Sequence, residues 1–365
     1  MSLFKWHWAK PPAPRFGQTR APEKCRNSKG PILPGPLPSV ATTQRYAHDA
    51  PAAKGAATCK NNEIMKRNLQ LALSFALILL FAGEGRAQLG MFSKEQRIDF
   101  TREWKGERAE DGRPLVPDSV LERLKNTTAE EAWGVLRGAK YPNQFAPGFQ
   151  QIITVPGKRL VGRAVTAVFM PARPDVNAVI NDKAKAEGRV GAGGQNAWVI
   201  DTLKPGDVIV VDLFGKIKDG TFMGDNLATS IFTKTGTGVV IDGSVRDLSG
   251  ISQIKGITGY VRGFDPSAIA NVMLVGINVP IRIGETTVMP GDVVLGDPEG
   301  VTFVPAQLAE KLADSSENTQ LRDDWGHLML KQGKYTPGQV DSRWSDEMQA
   351  EFKKWADEQK AKRRK

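Results

Sequence analysis

Val-rich segments of strand length between residues 159 and 305 constrain the fold more than any other feature of this sequence. Some contain four apolar residues in a row, which is typical of strands buried on both faces. Short strands mixed with single helices predict an α/β domain with a mixed sheet and not a long βαβ series. The predicted strands lie within 159–170, 205–215, 238–247, 257–263 and 280–305, and the predicted helices within 194–203 and 224–236.

The residue types available for chemistry are limited by where cysteine and histidine occur. Both cysteines, Cys25 and Cys59, lie near the amino end, and the three histidines, His7, His48 and His327, are far apart in the sequence. The main body therefore lacks a thiolate nucleophile, a CxxC pair and a cysteine-bound zinc site, and a multi-histidine metal site is not expected. Carboxylates favour a hard cation such as Mg²⁺ or Mn²⁺.

The formal net charge of +10 does not indicate a nucleic-acid partner, because much of it is concentrated at one end. Residues 1–64 contain ten Lys or Arg and three Asp or Glu, a local charge of +7, so the other 301 residues together carry +3. The basic end KAKRRK is interpreted as a solvated helix end and not as a handle for nucleic acid or lipid. We therefore predict no nucleic-acid partner.

The segment 65–87 has the three parts of an export signal. Lys66 and Arg67 precede an apolar run at 71–82, and Gly85-Arg86-Ala87 offers small residues to a signal peptidase. The run is short for a bilayer span, so an uncleaved anchor is the alternative and no membrane contact is expected after cleavage. The prediction is a periplasmic or secreted protein, or a cytoplasmic one if residues 1–64 mask the signal.

The chain is divided by composition into five parts. Residues 1–64 are rich in proline and are interpreted as a disordered leader or as the product of an over-extended reading frame, with Met65 the true start. The signal at 65–87 comes next, followed by a helical extension at 88–144, the main domain at 145–306 and carboxyl-terminal helices at 307–365.

Caps and turns mark the predicted helices and strands of these parts. Ser93 is a plausible N-cap, Asp118 opens a short helix, and either Thr127 with Glu130 or Thr128 with Glu131 makes a capping box. The sequon at Asn126 is interpreted as part of this cap. Pro-Gly-Asp-Val, at 205–208 and 290–293, is interpreted as a favoured turn and not as an internal repeat.

The candidate site lies in the segment 224–247. Gly224, Asp225, Asn226 and Leu227 stand where a loop enters a helix, a place that can receive a carboxylate or phosphate, although Asp225 could simply be a cap. The pair Arg246-Asp247 follows a buried strand at its carboxyl end, where open α/β sheets bind ligands. An arginine can clamp a carboxylate and an aspartate can hold a divalent cation.

The spacing and the amino-acid sequences of these segments resemble those of a known family. Asp225, twenty residues and then Arg246-Asp247 lie inside GDNLA and GVVIDGSVRD, and LVGRAVT, PGDVIVVD, VRG and PGDVVLGDPEGVTFVP occur in the same order as in that family. The sequence resembles the RraA-like family, which includes 4-hydroxy-4-methyl-2-oxoglutarate/4-carboxy-4-hydroxy-2-oxoadipate aldolases and the regulator of ribonuclease activity A. The resemblance covers roughly residues 145–340.

The resemblance implies a fold, an assembly and a site. The fold would be an α/β/β swivelling-type domain, here with helical extensions at both ends, assembled into homotrimers or hexamers. A pyruvate unit would bind the backbone of Gly224, Asp225, Asn226 and Leu227 together with Arg246, and Asp247 would hold Mg²⁺ or Mn²⁺ largely through waters. The metal would stabilise an enolate, while Asp225 would position a water that moves the proton of the 4-hydroxyl. An acidic residue from a neighbouring subunit is also implied, without a position here.

The predicted function is that of a metal-dependent pyruvate aldolase. It would cleave a 4-hydroxy-2-oxo acid by a retro-aldol reaction and, through the same enolate chemistry, decarboxylate oxaloacetate. Residues Lys216, Lys218 and Asp219 are expected to line the mouth of the pocket. The alternatives are a non-catalytic binding protein like the ribonuclease regulator and an exported member with another small-molecule substrate. A menaquinone methyltransferase finds no support, because no glycine-rich adenosylmethionine loop is apparent.

Overall fold

The computed structural model describes residues 92–189 and 193–363. The leader predicted at 1–64 and the export signal predicted at 65–87 lie outside this part of the chain. Within the two described ranges, no helix combines the length and the apolar character that a bilayer span requires.

The described chain alternates between helices and strands, with helices alone at both of its ends. The helices are α1 Lys94–Phe100, α2 Asp118–Arg123, α3 Ala129–Gly138, α4 Pro174–Ala186, α5 Gln195–Ile200, α6 Asp225–Thr235, α7 Leu248–Ile251, α8 Ala309–Lys331, α9 Pro337–Val340 and α10 Asp346–Arg363. The strands are β1 Phe145–Pro147, β2 Gln150–Ile153, β3 Leu160–Pro171, β4 Asp207–Thr221, β5 Gly238–Val245, β6 Thr258–Phe264, β7 Val272–Ile277, β8 Ile281–Ile283, β9 Thr286–Val288, β10 Val293–Gly296 and β11 Gly300–Val304.

One mixed nine-stranded sheet organises the described residues. Its order is β1-β11-β10-β3-β4-β5-β6-β2, and β7 also pairs with β3. The strands β3, β4, β5 and β6 are parallel neighbours, and the pairs at either side of them are antiparallel. β8 and β9 form a separate antiparallel hairpin. The predicted α/β class with a mixed sheet is confirmed, while helix α4 and strand β7 were not predicted.

The central strands are buried on both faces, which explains their Val-rich sequences. Side chains such as Ile209, Val211 and Ile241 face a cluster with residues of helices α4, α5 and α6. The alternate side chains, among them Val210 and Val240, face a second cluster with residues of β8, β9, β10 and β11. One face of the sheet is thus covered by helices and the other by β-structure, in the α/β/β arrangement that the resemblance implies.

Both helical extensions pack onto this domain. Apolar residues of α2 and α3 share a buried cluster with the end of the sheet and with the first turns of α8, centred on Leu124, Leu136, Val293 and Leu312. The rest of α8 continues into a small aromatic cluster with α9 and α10, in which Trp325 is buried against Trp344 at 4.7 Å between ring centroids.

The predicted caps and helix start are confirmed. Ser93 and Thr128 each form a capping box, so the alternative that places the second box at Thr128 and Glu131 is correct. The hydroxyl of Thr127 instead donates to Ser316 Oγ at 3.0 Å. Helix α2 has Pro117 at its N-cap position and Asp118 as its first residue.

The two Pro-Gly-Asp turns share a geometry but differ in their electrostatic surroundings. In each, the aspartate accepts the N–H of the residue three positions earlier at 2.8 Å, from Lys204 to Asp207 and from Met289 to Asp292. Asp207 also forms a two-bond ion pair with Arg113, at 2.8 and 2.9 Å, whereas Asp292 has no cation within ion-pair distance among the described residues. Burial therefore raises the pKa of Asp292 to about 7.

This raised pKa predicts that the folded chain loses stability as pH rises from about 4 to about 7. Below about 4 the carboxyl is protonated in both states, and above about 7 the folded state must bury its charge. A shift from 3.8 to about 7 corresponds to about 4 kcal/mol. In Asp292→Asn the amide oxygen keeps the Met289 bond, so we expect a net gain of about 2 kcal/mol at pH 8 after the cost of a buried NH₂.

Urea unfolding between pH 4 and pH 8 measures this effect. The wild-type slope should be largely absent from Asp292→Asn and retained in Asp182→Asn, a control at an exposed helix position. An unchanged slope in Asp292→Asn would contradict the assignment.

Candidate active site

The topology of the parallel strands brings the two predicted site segments together. β4 and β5 are adjacent and parallel, and helix α6 connects the carboxyl end of β4 to the amino end of β5. Gly224 therefore follows β4 and Arg246 follows β5 at the same edge of the sheet. The twenty residues between Asp225 and Arg246 are the helix that leaves this edge and the strand that returns to it.

Backbone hydrogen bonds continue past the strand ends and hold the two segments in register. The N–H of Phe222 donates to Ser244 O at 2.9 Å, and the N–H of Arg246 donates to Met223 O at 3.1 Å. The buried side chain of Asn196 donates through Nδ2 to Phe222 O at 2.8 Å. The loop that carries Gly224 is thereby fixed from two sides.

Gly224 lies against both members of the Arg-Asp pair. A Cβ added at this position would be 2.4 Å from Asp247 Oδ2 and 3.4 Å from Arg246 Nε. The first distance is far below any normal contact, so a side chain at position 224 would displace the Asp247 carboxylate. The helix entrance and the Arg-Asp pair thus form a single site.

Arg246 and Asp247 are positioned but remain accessible. Arg246 Nε lies 3.3 Å from Asp247 Oδ2, and their side chains are 42% and 49% exposed. Asp247 has a left-handed backbone, with φ of 57°, and immediately precedes the short helix α7. A non-glycine residue in this conformation is uncommon and occurs often at functional sites, where the surrounding structure holds it in place.

Asp225 is the first residue of α6 and not its cap, because Gly224 holds the N-cap position. Its Oδ1 accepts the N–H of Asn226 at 2.8 Å. Its carboxylate also packs on α7, where a Cβ added at Gly250 would lie 2.6 Å from Asp225 Oδ2. Ala228 is the first residue of the helix to donate to a backbone carbonyl, that of Gly224 at 3.0 Å. The N–H groups of the residues before it have no backbone acceptor within the helix.

The acidic groups at this edge fit a cation that keeps most of its waters. The described residues contain no group of three or more His, Cys, Asp or Glu able to enclose a metal. Asp247 offers a half-exposed carboxylate next to the helix entrance, and Asp225 is beside it across Gly224 and Gly250. Mg²⁺ is commonly held by one or two carboxylates together with waters and substrate oxygens.

Lys216, Lys218 and Asp219, which are expected at the mouth of the pocket, lie in the irregular last part of β4. The strand bulges on either side of Lys216, which pairs with Gly243. Lys218 is exposed, and Asp219 is directed toward the loop after β6, where its N–H donates to Ser267 Oγ at 2.7 Å. Asp219 is thus tied to the β6 loop, while Lys216 is adjacent to the strand that carries Arg246.

Several supporting residues at this edge were not predicted. Asn196 orients the loop before Gly224, and Gly250 makes room for the Asp225 carboxylate. On the opposite face of the sheet, Asp242 accepts a hydrogen bond from Arg262 Nε at 2.6 Å. Neighbouring Asp212 has a raised pKa because of its burial and, secondarily, because of the charge of Asp242. Of these supporting residues, Asp212, Asp242 and Arg262 lie in the family-like motifs PGDVIVVD, GVVIDGSVRD and VRG, whereas Asn196 and Gly250 lie in none of them.

The fold and this edge define an α/β/β domain with a candidate site at the carboxyl ends of its parallel strands, where Arg246 is available to an anion and Asp247 to a cation. Residues 132–303 match the RraA-like family, described as Aldolase/RraA. This part of the chain is therefore an RraA-like domain by similarity.

Parts of the chain are similar to curated proteins and to a solved structure. A candidate 4-hydroxy-4-methyl-2-oxoglutarate aldolase of Halalkalibacterium halodurans is 32% identical over 136 residues, which are 36% of this chain and 64% of that protein. An uncharacterized protein of Methanocaldococcus jannaschii is 30% identical over 116 residues, 32% of this chain and 55% of its own length. The matches thus span between about half and two thirds of these relatives. The solved structure of Streptomyces coelicolor RraAS2, an unusual member of the RNase ES inhibitor RraA family, has 24% identity and a TM-score of 0.49, covering 59% of this chain and 98% of that one.

Proposed function

We propose that this chain is a divalent-metal-dependent lyase that cleaves a 4-hydroxy-2-oxo acid of the 4-hydroxy-4-methyl-2-oxoglutarate type to pyruvate. The observation that carries the proposal is the contact of Gly224 with both Arg246 and Asp247, which puts a carboxylate clamp, a hard oxygen ligand and a helix entrance in one accessible site. The aldolase names of relatives at modest identity support the same class of reaction.

The reaction breaks the bond between C3 and C4 of the substrate. The 4-hydroxyl loses its proton and becomes a carbonyl, and the bonding electron pair moves toward C3 and the 2-oxo group. Protonation of C3 then gives pyruvate. A divalent cation bound beside Asp247 would polarise the 2-oxo group and stabilise the negative charge that develops there.

The residues of the chain orient the substrate and handle the proton. Arg246 would hold the substrate carboxylate through parallel hydrogen bonds, which fixes the 2-oxo group relative to Asp247. The first-turn amides of α6 would add donors and the positive end of the helix dipole. Asp225 would hold a water that takes the proton of the 4-hydroxyl.

We also propose, as parts of the same function, oxaloacetate decarboxylation, a homotrimeric or hexameric assembly and export through the segment 65–87. Decarboxylation leaves the same charge beside the 2-oxo group, so it needs no further residue. The half-exposed side chains of Arg246 and Asp247 leave room for a neighbouring subunit to complete the site. A regulatory protein without catalysis is the alternative, as some relatives are named for ribonuclease inhibition.

Pyruvate release tests the proposed function. The purified chain is expected to release pyruvate from 4-hydroxy-4-methyl-2-oxoglutarate with Mg²⁺ or Mn²⁺ and to lose at least 95% of this activity in excess chelator, an order-of-magnitude loss based on the role of the cation. A protein-free sample with the same metal corrects for the spontaneous reaction. Pyruvate release that persists in chelator would contradict metal dependence, and none under any condition would favour the regulatory alternative.

A further inference from the structure

A cavity of about 240 Å³ lies at the opposite end of the parallel strands from the candidate active site. We call it the basal cavity. It is bounded by Leu160 and Thr258, the first residues of β3 and β6, by Gly206 and Thr237 just before β4 and β5, and by the segment 118–125 of the amino-terminal extension. About nine residues of β5 separate it from Arg246, roughly 30 Å at 3.3 Å per residue.

The wall of the basal cavity carries more positive than negative charge. Its cations are Lys125, Lys158 and Arg159, and its acids are Asp118 and Glu122. Both acids are already paired, Asp118 with Arg163 at 2.6 Å and Glu122 with Lys125 at 2.5 Å.

Lys158 and Arg159 have no carboxylate partner among the described residues, although Lys158 Nζ also lies over the ring of Phe232 at 5.4 Å from its centroid. Lys158 Nζ donates to Gly256 O at 2.5 Å, and Arg159 Nη1 donates to the carbonyls of Asn126 and Thr127 at 2.8 and 2.7 Å. Burial, and secondarily the charge of Lys125, lower the pKa of Lys158. Two cations next to one another and without carboxylate partners are stabilised by an anion.

A buried hydroxyl at the same place has no partner. Thr258 is 1% exposed and lines the cavity, and its Oγ1 forms no hydrogen bond within the described part of the chain. An unsatisfied buried hydroxyl costs about 1–3 kcal/mol. Because Thr258 lines the same cavity as Lys158 and Arg159, a ligand bound there would supply the missing partner.

A bound cation is the alternative to an anion, but two backbone carbonyls near the cavity are already hydrogen bonded and do not favour it. Thr235 O accepts the N–H of Gly206 at 2.9 Å, and Phe232 O accepts the N–H of Gly236 at 2.8 Å.

The volume of the basal cavity is below the 300–1,000 Å³ that is typical of sites for drug-sized ligands, which restricts the ligand to a small molecule.

We propose that the basal cavity binds a small dianion, either phosphate or a short dicarboxylate. Lys158 and Arg159 supply the charge, the hydroxyl of Thr258 donates to an anion oxygen, and the extension residues 118–125 line one side of the site. This site is separate from the proposed active site and does not depend on the proposed reaction.

Calorimetric titration of the Arg246→Ala chain with inorganic phosphate and, separately, with succinate tests the proposal. That background removes the arginine most able to hold an anion at the active site. We expect one bound anion per chain, with affinity at least tenfold weaker in Lys158→Met and several-fold weaker in Thr258→Val. The stronger of the two probes identifies the ligand as phosphate or dicarboxylate. Lys255→Met, at an exposed neighbouring lysine outside the cavity, should bind as tightly as the parent.

Thr258→Val separates a loss of anion binding from a loss of folding. It replaces an unpaired hydroxyl by a methyl of similar size, so the ligand-free variant should melt at a higher temperature than its parent while its response to the anion decreases. The proposal is overturned if neither anion binds, or if Lys158→Met and Thr258→Val bind as the parent does.

Discussion

Asp247→Ala is expected to lower kcat/KM for pyruvate release by about 10³-fold, because it removes the carboxylate that stands beside both Arg246 and the helix entrance. Arg246→Lys should cost about 10²-fold, mostly through a raised KM, since an ammonium group cannot form the two parallel bonds of a guanidinium. Both side chains are more than 40% exposed, so the folded state should keep its stability within about 1 kcal/mol.

Gly224→Ala disturbs the same site without removing a functional group. Its new methyl would overlap Asp247 Oδ2, at 2.4 Å, and displace the carboxylate, so we expect a loss of about 10²-fold in kcat. Gly134→Ala is the matched control, because a Cβ there meets nothing within 4 Å. Steady-state kinetics with metal in excess measure these changes. Full activity in Gly224→Ala, or in both Asp247→Ala and Arg246→Lys, would refute the assigned roles.

Arg113→Met is expected to destabilise the folded state by about 3–5 kcal/mol, the largest stability effect that we predict. Arg113 and Asp207 are 5% and 1% exposed, and their two hydrogen bonds join the extension to the first residue of β4. Loss of the guanidinium leaves the carboxylate of Asp207 buried, with the Lys204 amide as its one remaining partner among residues 92–189 and 193–363. Urea unfolding at pH 7 measures the change.

Two further variants separate this buried pair from ordinary surface charge. Arg113→Met combined with Asp207→Asn should recover much of the loss, because the buried charge is then absent. Arg173→Met breaks an exposed ion pair with Asp175 and should change stability by less than about 0.5 kcal/mol. Equal effects of Arg113→Met and Arg173→Met would show that the extension is not anchored through Asp207.

Much of the fold could be predicted from the sequence because its signals are local. Apolar runs such as VIVV and GVVI need burial on both faces, and the capping boxes at Ser93 and Thr128 satisfy backbone amides within one turn of chain. Helix α4 was missed because its residues, PDVNAVINDKAKA, carry a weak apolar pattern and are mostly exposed. Strand β7 was missed because it joins β3, far from it in the sequence.

The proximity of Gly224 to the Arg246-Asp247 pair could be predicted from the sequence, but the residues that support them could not. The spacing from Asp225 to Arg246 corresponds to one helix and one strand, a local relation that the chain itself encodes. Asn196 and Gly250 act through contacts with Phe222 and Asp225, which no spacing indicates. The metal, the oligomer and the export signal remain predictions.

The sequence by itself determined the α/β class, the resemblance to a family and the segment of the candidate site, because apolar periodicity, caps and motif spacing act over short stretches of chain. Only the tertiary structure decided that Gly224 lies against Asp247, that Arg113 neutralises Asp207 while no cation of the described residues reaches Asp292, and that Lys158 and Thr258 share a cavity. These contacts join residues that are far apart in the sequence and that sheet pairing and packing bring together. Their energies depend on how deeply the polar and charged groups are buried.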